Sequence, residues 1–387
     1  MFLDADKPKV EKPLKSVLWK SYVSASLIPL FLIEVTFLAI YWGTGQFVFE
    51  RGAEVVTETS TKALEDSVTR EAETISARLQ TVSAMTKLYA EETGRALQSP
   101  ADVDQSEKDR HAFSPDGAFY STADNGGSAV FYSGVLPIGP EEIDKVWRTV
   151  RLDPIMKSIV DSDGLIAQVY LNTFDSLNRI YPYFDVLDIY APKMDIPSYN
   201  FYYEADVEHN PDGNVVWTDA YIDPAGSGWM LSAIAPVMGP EKLEAVVGID
   251  VTIRTIVDSV LNIELAGDGY AMLVGRDGTI LALPPEAQAD FGLTELLDHS
   301  YSQAILEDTF KPAEFNLFRR QDIGDLAIAL HDSESGTLDI DLGRPVIASW
   351  ATIAGTGWRL IAVASEEALL EKTMNLRDTL SYPTFSK

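Results

Sequence analysis

Residues Ser21 to Gly45 read SYVSASLIPLFLIEVTFLAIYWGTG, a mostly apolar run about long enough to cross a bilayer. Lys7, Lys9, Lys12, Lys15 and Lys20 precede it, and Tyr41 and Trp42 close it. Lysines before a span favour a cytoplasmic N-terminus, and an aromatic pair suits the outer headgroup zone. Everything after Gly43 is then expected outside the cytoplasm. A cleaved signal peptide would have a shorter apolar core followed by small residues, whereas Phe47, Val48, Phe49 and Glu50 follow here, so a retained anchor is the favoured reading. Pro29 and Glu34 are unusual within such a run, because a carboxylate in hydrocarbon is costly unless protonated or partnered. Glu34 is read either as a helix contact inside a dimer or as a protonated bystander.

From about Thr44 to Ser99 there is no proline, and Ala, Glu, Thr and Leu dominate, which predicts one long helix. Val68, Ala72, Ile75, Leu79, Val82, Thr86 and Tyr89 step by four and three along it. Such a seam pairs with another helix or lies along its own domain, and the two are compatible. After Pro100 the texture changes to short β-rich runs broken by Gly, Pro and Asp: GAFYST, AVFYSG, LIAQVYLNT, VVWTDAYI, WMLSAIAPV and LEAVVGIDV. TIRTIVDSVLNI then reads as a helix. A second strand group opens with YAMLVGRDGTILALP, a hairpin at Asp277-Gly278, and continues through EFNLFRR, LAIALH, PVIASWATI and WRLIAVAS. GSGWMLSAIAPV at 226–237 is echoed by GTGWRLIAVASE at 355–366, each closing one strand group, so two related α+β units are expected in tandem.

Chemistry is narrowed by what is missing. The chain of 387 residues carries a formal charge of −29, which argues against a nucleic-acid partner, and its lack of cysteine removes disulfides, thiolate zinc sites and cysteine nucleophiles. AGSGW is not a nucleophile elbow, and neither glycine-rich stretch continues as a phosphate loop. His111, His209, His299 and His331 lack zinc-helix spacing, and DSDG, NPDG and GRDG are turns rather than calcium loops. No metal or cofactor is expected. Asp223 and Asp250 are the one carboxylate pair open to a catalytic reading, set against ordinary roles as a turn residue before Pro224 and a helix cap.

Anchor, long helix and two β-rich units with a G-x-G-W echo together resemble the double Cache family of extracytoplasmic sensor domains, with residues 199–250 as the most telling segment. The resemblance implies an α+β architecture: an N-terminal transmembrane helix, a long stalk helix and two tandem PAS-like Cache units with antiparallel sheets. Its expected boundaries are 1–20 cytoplasmic tail, 21–43 transmembrane helix, 44–99 stalk or dimerisation helix, 100–262 membrane-distal ligand-binding unit, 263–365 membrane-proximal unit and 366–387 C-terminal segment. It also implies the sensing input of a histidine kinase, chemoreceptor or diguanylate cyclase, with no enzymatic activity in this chain, in a cell inner membrane with the bulk periplasmic.

In the family's amino-acid-binding branch, an R-x-W-Y run, a Tyr-x-Asp and a later Asp hold the ligand. Tyr221 and Asp223 resemble the Tyr-x-Asp, Asp250 the last Asp, and Phe201 and Tyr202 the Trp-Tyr, with Ala205 behind them. The Arg position is Tyr199, which removes the bidentate grip on a ligand carboxylate; Arg179 is the candidate substitute. Tyr199, Phe201, Tyr202, Trp217 and Tyr221 would then offer aromatic faces and Asp223 and Asp250 negative charge, a set suited to an ammonium group. The expected partners are a small amine-bearing or cationic ligand, the membrane, and a second copy joined through the long helix. Gly226, Gly228 and Trp229 recur as Gly355, Gly357 and Trp358 and read as scaffold. Rival readings are a tethered solute-binding protein serving a transporter, and a hydrolase using Asp223 and Asp250. The polar end LLEKTMNLRDTLSYPTFSK lacks a second span, so either a truncated product missing its output module, the favoured reading, or signalling through a partner is expected.

Overall fold

The structure is a computed structural model that describes residues 14–223, 229–240, 242–252, 254–256, 269–295, 311–365 and 368. The chain divides into two compact units, Met1–Thr59 and Ser60–Lys387. The first contains one stretch, Leu18–Thr44, long and apolar enough to cross a membrane by length and composition. Its Phe31, Leu38 and Trp42 side chains are exposed, as expected where lipid rather than protein is the apolar solvent. The predicted helix is present and longer than expected, running Ile28–Gln98.

In the second unit two antiparallel sheets pack on this helix. The first comprises β1 (His111–Phe113), β2 (Phe119–Ser121), β3 (Ala129–Tyr132), β4 (Ile166–Thr173), β5 (Leu177–Tyr181), β6 (Val216–Trp217), β7 (Tyr221–Ile222), β8 (Trp229–Met238) and β9 (Leu243–Thr252). Its order is β1-β2-β3-β5-β4-β9-β8-β6, with β7 also paired to β8. The second comprises β10 (Tyr270–Val274), β11 (Ile280–Ala282), β12 (Ser335–Asp341), β13 (Pro345–Ile353) and β14 (Trp358–Ser365), in the order β11-β10-β14-β13-β12. Among the described residues every strand pairing is antiparallel, which is the α+β architecture expected from the sequence.

Strand alternation decides which side chains build the core and which are left for a site. Along β9, Ala245, Val247, Ile249 and Val251 face the long helix, as do Leu231, Ala233, Ala235 and Val237 of β8. Leu64, Val68, Ala72, Leu79 and Val82 of the helix join the same core, together with Ile353, Leu360 and Ala364 of the second sheet. The heptad-like seam therefore lies along its own unit, and this face is not available for a helix pair. The opposite face of the first sheet holds Tyr170, Met230, Ile234 and Val246, under a covering segment that contributes Tyr190, Met194 and Ile196. Tyr170 lies across Gly248, its cross-strand partner, where a β-carbon would sit 2.1 Å from the ring. Only glycine leaves that room.

The second strand group is partly as expected. The hairpin at Asp277-Gly278 is present, with Gly278 at φ +89 and the Gly275 N–H donating to the Thr279 carbonyl. LAIALH, read as a strand, is instead within the helix Gly324–Asp332: Leu326, Ala327 and Leu330 are buried while Ile328 is exposed, a helical period that so short an apolar run conceals. EFNLFRR forms two short 3-10 turns, Ala313–Phe315 and Leu317–Arg319. The repeated tryptophans begin matching strands, Trp229 in β8 and Trp358 in β14, and both are buried in the helix-facing core. Gly355 and Gly357 adopt positive φ in the second copy, which fits a structural turn, while Gly226 and Gly228 lie outside the described residues. So do most of TIRTIVDSVLNI, the expected boundary between residues 262 and 263, and the end of the chain after Ala368.

Candidate functional site

Three strands place the polar centre of the site. Asp250 on β9 is the cross-strand partner of Gln168 on β4 and of Ser232 on β8, so the three side chains form one row on the face away from the long helix. Ser232 Oγ donates to Asp250 Oδ1 at 2.5 Å, and Gln168 Nε2 donates to Asp250 Oδ2 at 2.7 Å. Asp223, just after β7, accepts from the same Gln168 Nε2 at 3.2 Å. The Tyr221 hydroxyl completes the row, lying 2.7 Å from Ser232 Oγ and donating to Asp250 Oδ1 at 3.5 Å. Asp223 and Asp250 are 3% and 1% exposed, so both carboxyls are withdrawn from water.

Electrostatics follow from that burial. Asp250 is pushed up to about 8, chiefly by loss of water and then by the neighbouring Asp223 charge. Hydrogen bonds from Ser232, Gln168 and Tyr221 act in the opposite direction and do not outweigh it. The phenols of Tyr170, Tyr190 and Tyr221 are raised well above their ordinary range by burial and the adjacent acids, so they serve as neutral donors. Above the acids, Phe201 lies 5.5 Å from Tyr221 and 5.9 Å from Tyr170, and Tyr199 stacks on Phe201 at 5.2 Å. Gln168, Tyr170, Phe201, Tyr221, Asp223 and Asp250 line a cavity of ≈ 20 Å³ together with Tyr190, Met194 and Ile196, and no basic residue is among its described lining residues. That is room for about one water.

The sequence-predicted residues separate into three groups. Phe201, Tyr221, Asp223 and Asp250 line the cavity together. Tyr199 and Tyr202 belong to the same aromatic cluster without lining it, and Ala205 is buried beside them. Trp217 and Arg179 are corrected to other places, and alternation along their strands is the reason. Trp217 faces the long helix, where its Nε1 donates to Ser83 Oγ at 3.0 Å and its ring meets Trp358 at 5.6 Å. Arg179 lies on the opposite face to its neighbours Asn178 and Ile180, which do line the cavity. It is fully buried, pairs with Asp153 at 3.1 Å, and donates to Ser128, Thr149 and the Val146 carbonyl, so it cannot stand in for the missing carboxylate grip.

Gln168, Ser232 and Tyr170 were missed by sequence reasoning. The signal was present: Gln168 and Ser232 are polar residues at the centre of otherwise apolar strands, LIAQVYLNT and WMLSAIAPV. A larger cavity of ≈ 360 Å³ lies elsewhere, lined by Asp219, Asp277, Lys311, Arg319 and Trp358 among others. Two of its four charged lining residues are ion-paired, Asp219 with Arg276 and Lys311 with Glu295. Among the described residues no group of three or more His, Cys, Asp or Glu could hold a metal ion.

No family model matches the chain. A methyl-accepting chemotaxis protein of Pseudomonas aeruginosa, PctB, is 31% identical over 84 residues, 22% of this chain and 13% of that receptor. McpC of Bacillus subtilis, also a methyl-accepting chemotaxis protein, is 28% identical over 129 residues, 33% of this chain and 19% of that receptor. The chain thus matches well under a quarter of the length of these curated relatives. Among solved structures, the ligand-binding domain of the Pseudomonas aeruginosa amino-acid chemoreceptor PctB in complex with L-Arg aligns at 15% identity and TM-score 0.47, over 80% of this chain and 97% of that one. Further neighbours include a Pseudomonas fluorescens chemoreceptor ligand-binding domain and extracellular domains of putative histidine kinases. The resemblance read in the sequence is accompanied by local similarity to two methyl-accepting chemotaxis proteins, and the α+β architecture expected with it is present behind an N-terminal apolar helix.

Proposed function

We propose that this chain is the extracytoplasmic sensing region of a membrane-anchored receptor, and that its first sheet binds a small amine-bearing or cationic ligand. The observation that carries the reading is the pair of buried carboxyls, Asp223 and Asp250, joined through one amide in a cavity whose described lining includes aromatic rings and no basic group. Holding two acids out of water is costly, and a ligand ammonium would offset that cost with charge-assisted hydrogen bonds and contact with the Phe201 and Tyr221 rings. Ligand entry has to displace the covering residues Tyr190, Met194 and Ile196, since the cavity is far smaller than an amino acid. Such a displacement supplies the two arrangements that a sensor needs, provided the ligand binds one of them better. The Leu18–Thr44 segment would anchor the receptor, with the two sheets on the outer side. A hydrolase reading is disfavoured because both acids are withdrawn from solvent rather than facing each other across an open cleft.

The test is a thermal-shift panel of amines, amino acids and amine-free organic acids on the full chain in detergent. Amine-bearing compounds should raise the midpoint, by the equivalent of about 2.7 kcal/mol at roughly a hundredfold excess over Kd, and Asp250→Asn should abolish the response. Stabilisation by amine-free carboxylates alone, surviving Asp223→Ala, would overturn the proposal.

A further inference from the structure

We infer that the side-chain amide of Gln168 is an internal stand-in for the ligand's ammonium group, occupying its place between Asp223 and Asp250 until the ligand displaces it. The inference rests on the amine-binding reading above and adds to it a residue that sets affinity. Its basis is geometric. A single nitrogen, Nε2, lies 2.7 Å from Asp250 Oδ2 and 3.2 Å from Asp223 Oδ2, so its two hydrogens reach two carboxyl groups as an ammonium's would. The side chain is 6% exposed, and the cavity beside it is ≈ 20 Å³, so amide and ammonium cannot occupy the place together.

The amide is also held there by the fold. Gln168 and Asp250 are cross-strand partners, which fixes the donor opposite its acceptor at high local concentration. Being neutral, it satisfies hydrogen bonds without neutralising charge, so an ammonium outcompetes it only by the difference between a charge-assisted and an ordinary bond. β4 is irregular on the near side of Gln168, its register with β9 shifting between Ile166 and Gln168. A bulge of this kind re-aims a side chain, and it supplies the slack for the amide to swing aside.

Chemical rescue tests this on the full chain in detergent. Gln168→Ala vacates the amide's place, and methylammonium chloride is compared with sodium chloride and tetramethylammonium chloride at equal ionic strength. Methylammonium should raise the melting midpoint of Gln168→Ala by about 2 °C or more over sodium and raise the unsubstituted protein's less, while tetramethylammonium, which has no donor, has no such effect. The gain should vanish when Asp250→Asn is added. Gln168→Ser serves the same comparison if the alanine variant does not fold. If the unsubstituted protein is stabilised by amines and neither Gln168 variant gains from methylammonium, the stand-in role is overturned and the amine site survives. If neither the unsubstituted protein nor the variants respond to any amine, both readings fall.

Discussion

At the scale of single residues, Asp250 is where structure and solution behaviour meet most directly. Its carboxyl is raised from 3.8 to about 8 in the fold, by burial first and by Asp223 second. Between those values the folded chain holds a proton that the unfolded chain has released, so this group's contribution to stability falls as pH rises through the window and levels off above about 8. The loss cannot exceed about 1.4 kcal/mol per pH unit for one proton. Urea denaturation at several pH values, for the full chain and for Asp250→Asn, measures it, because the other titrating groups cancel in the difference. The difference should slope downward from about pH 4 to about pH 8; a difference independent of pH would show that Asp250 is not protonated in the fold. The residues that sequence reading placed in the cavity were those with chemistry visible in one letter: acids and aromatics in a Tyr-x-Asp setting. Trp217 and Arg179 went astray because one-letter chemistry does not say which face of a strand a residue takes, and only two residues of β6 fix that for Trp217.

Among the elements, the long helix was the most legible, since a Pro-free stretch with a 3–4 apolar step has few other solutions. What the seam packs against was not legible, because one apolar stripe serves a partner helix or a sheet equally well. The structure assigns it to the chain's own two sheets, and a mutational contrast follows. Leu79 is 1% exposed in that core and Leu88, nine residues on, is 62% exposed. Leu79→Ala should cost about 2–5 kcal/mol in chemical denaturation of the full chain and Leu88→Ala within about 0.5 kcal/mol of nothing. Equal, small effects at both positions would place the seam outside the folding core. If two copies do associate through this helix, the contact has to use another of its faces, and the oligomeric state by light scattering in detergent should be unmoved by Leu79→Ala wherever the protein still folds. LAIALH shows the limit from the other side: six apolar-rich residues fit strand and helix alike, and only burial of Leu326 and Leu330 on one side separates them.

For the folded region as a whole, the question is whether the two sheets behave as one body, since the proposed sensing role requires a change at Asp223 and Asp250 to be passed on. An Arg276–Asp219 ion pair at 3.3 Å joins loops of the two sheets, but its side chains are 53% and 43% exposed, and a solvated pair of this kind contributes about 1 kcal/mol at most. The apolar contact is the stronger link. Trp217 of β6 meets Trp358 of β14 edge to face while bonded to Ser83 of the long helix, and the helix-facing core runs without a break from Val247 and Leu231 through Leu79 to Ile353 and Leu360. Trp217 is also only four residues before Tyr221, so a shift in the cavity wall is felt at this junction through three intervening residues. Trp358→Ala removes the second sheet's half of the contact and leaves the first sheet's own residues intact. Loss of a buried tryptophan costs about 3–5 kcal/mol, and in one cooperative body that cost is shared by every region that opens only globally. Hydrogen exchange followed by mass spectrometry should therefore show protection falling by the same factor in peptides covering β8 and β9 as in those covering β13 and β14. Loss confined to β13 and β14 would mean that the sheets open independently, and the Trp217–Trp358 junction would then carry no signal between them.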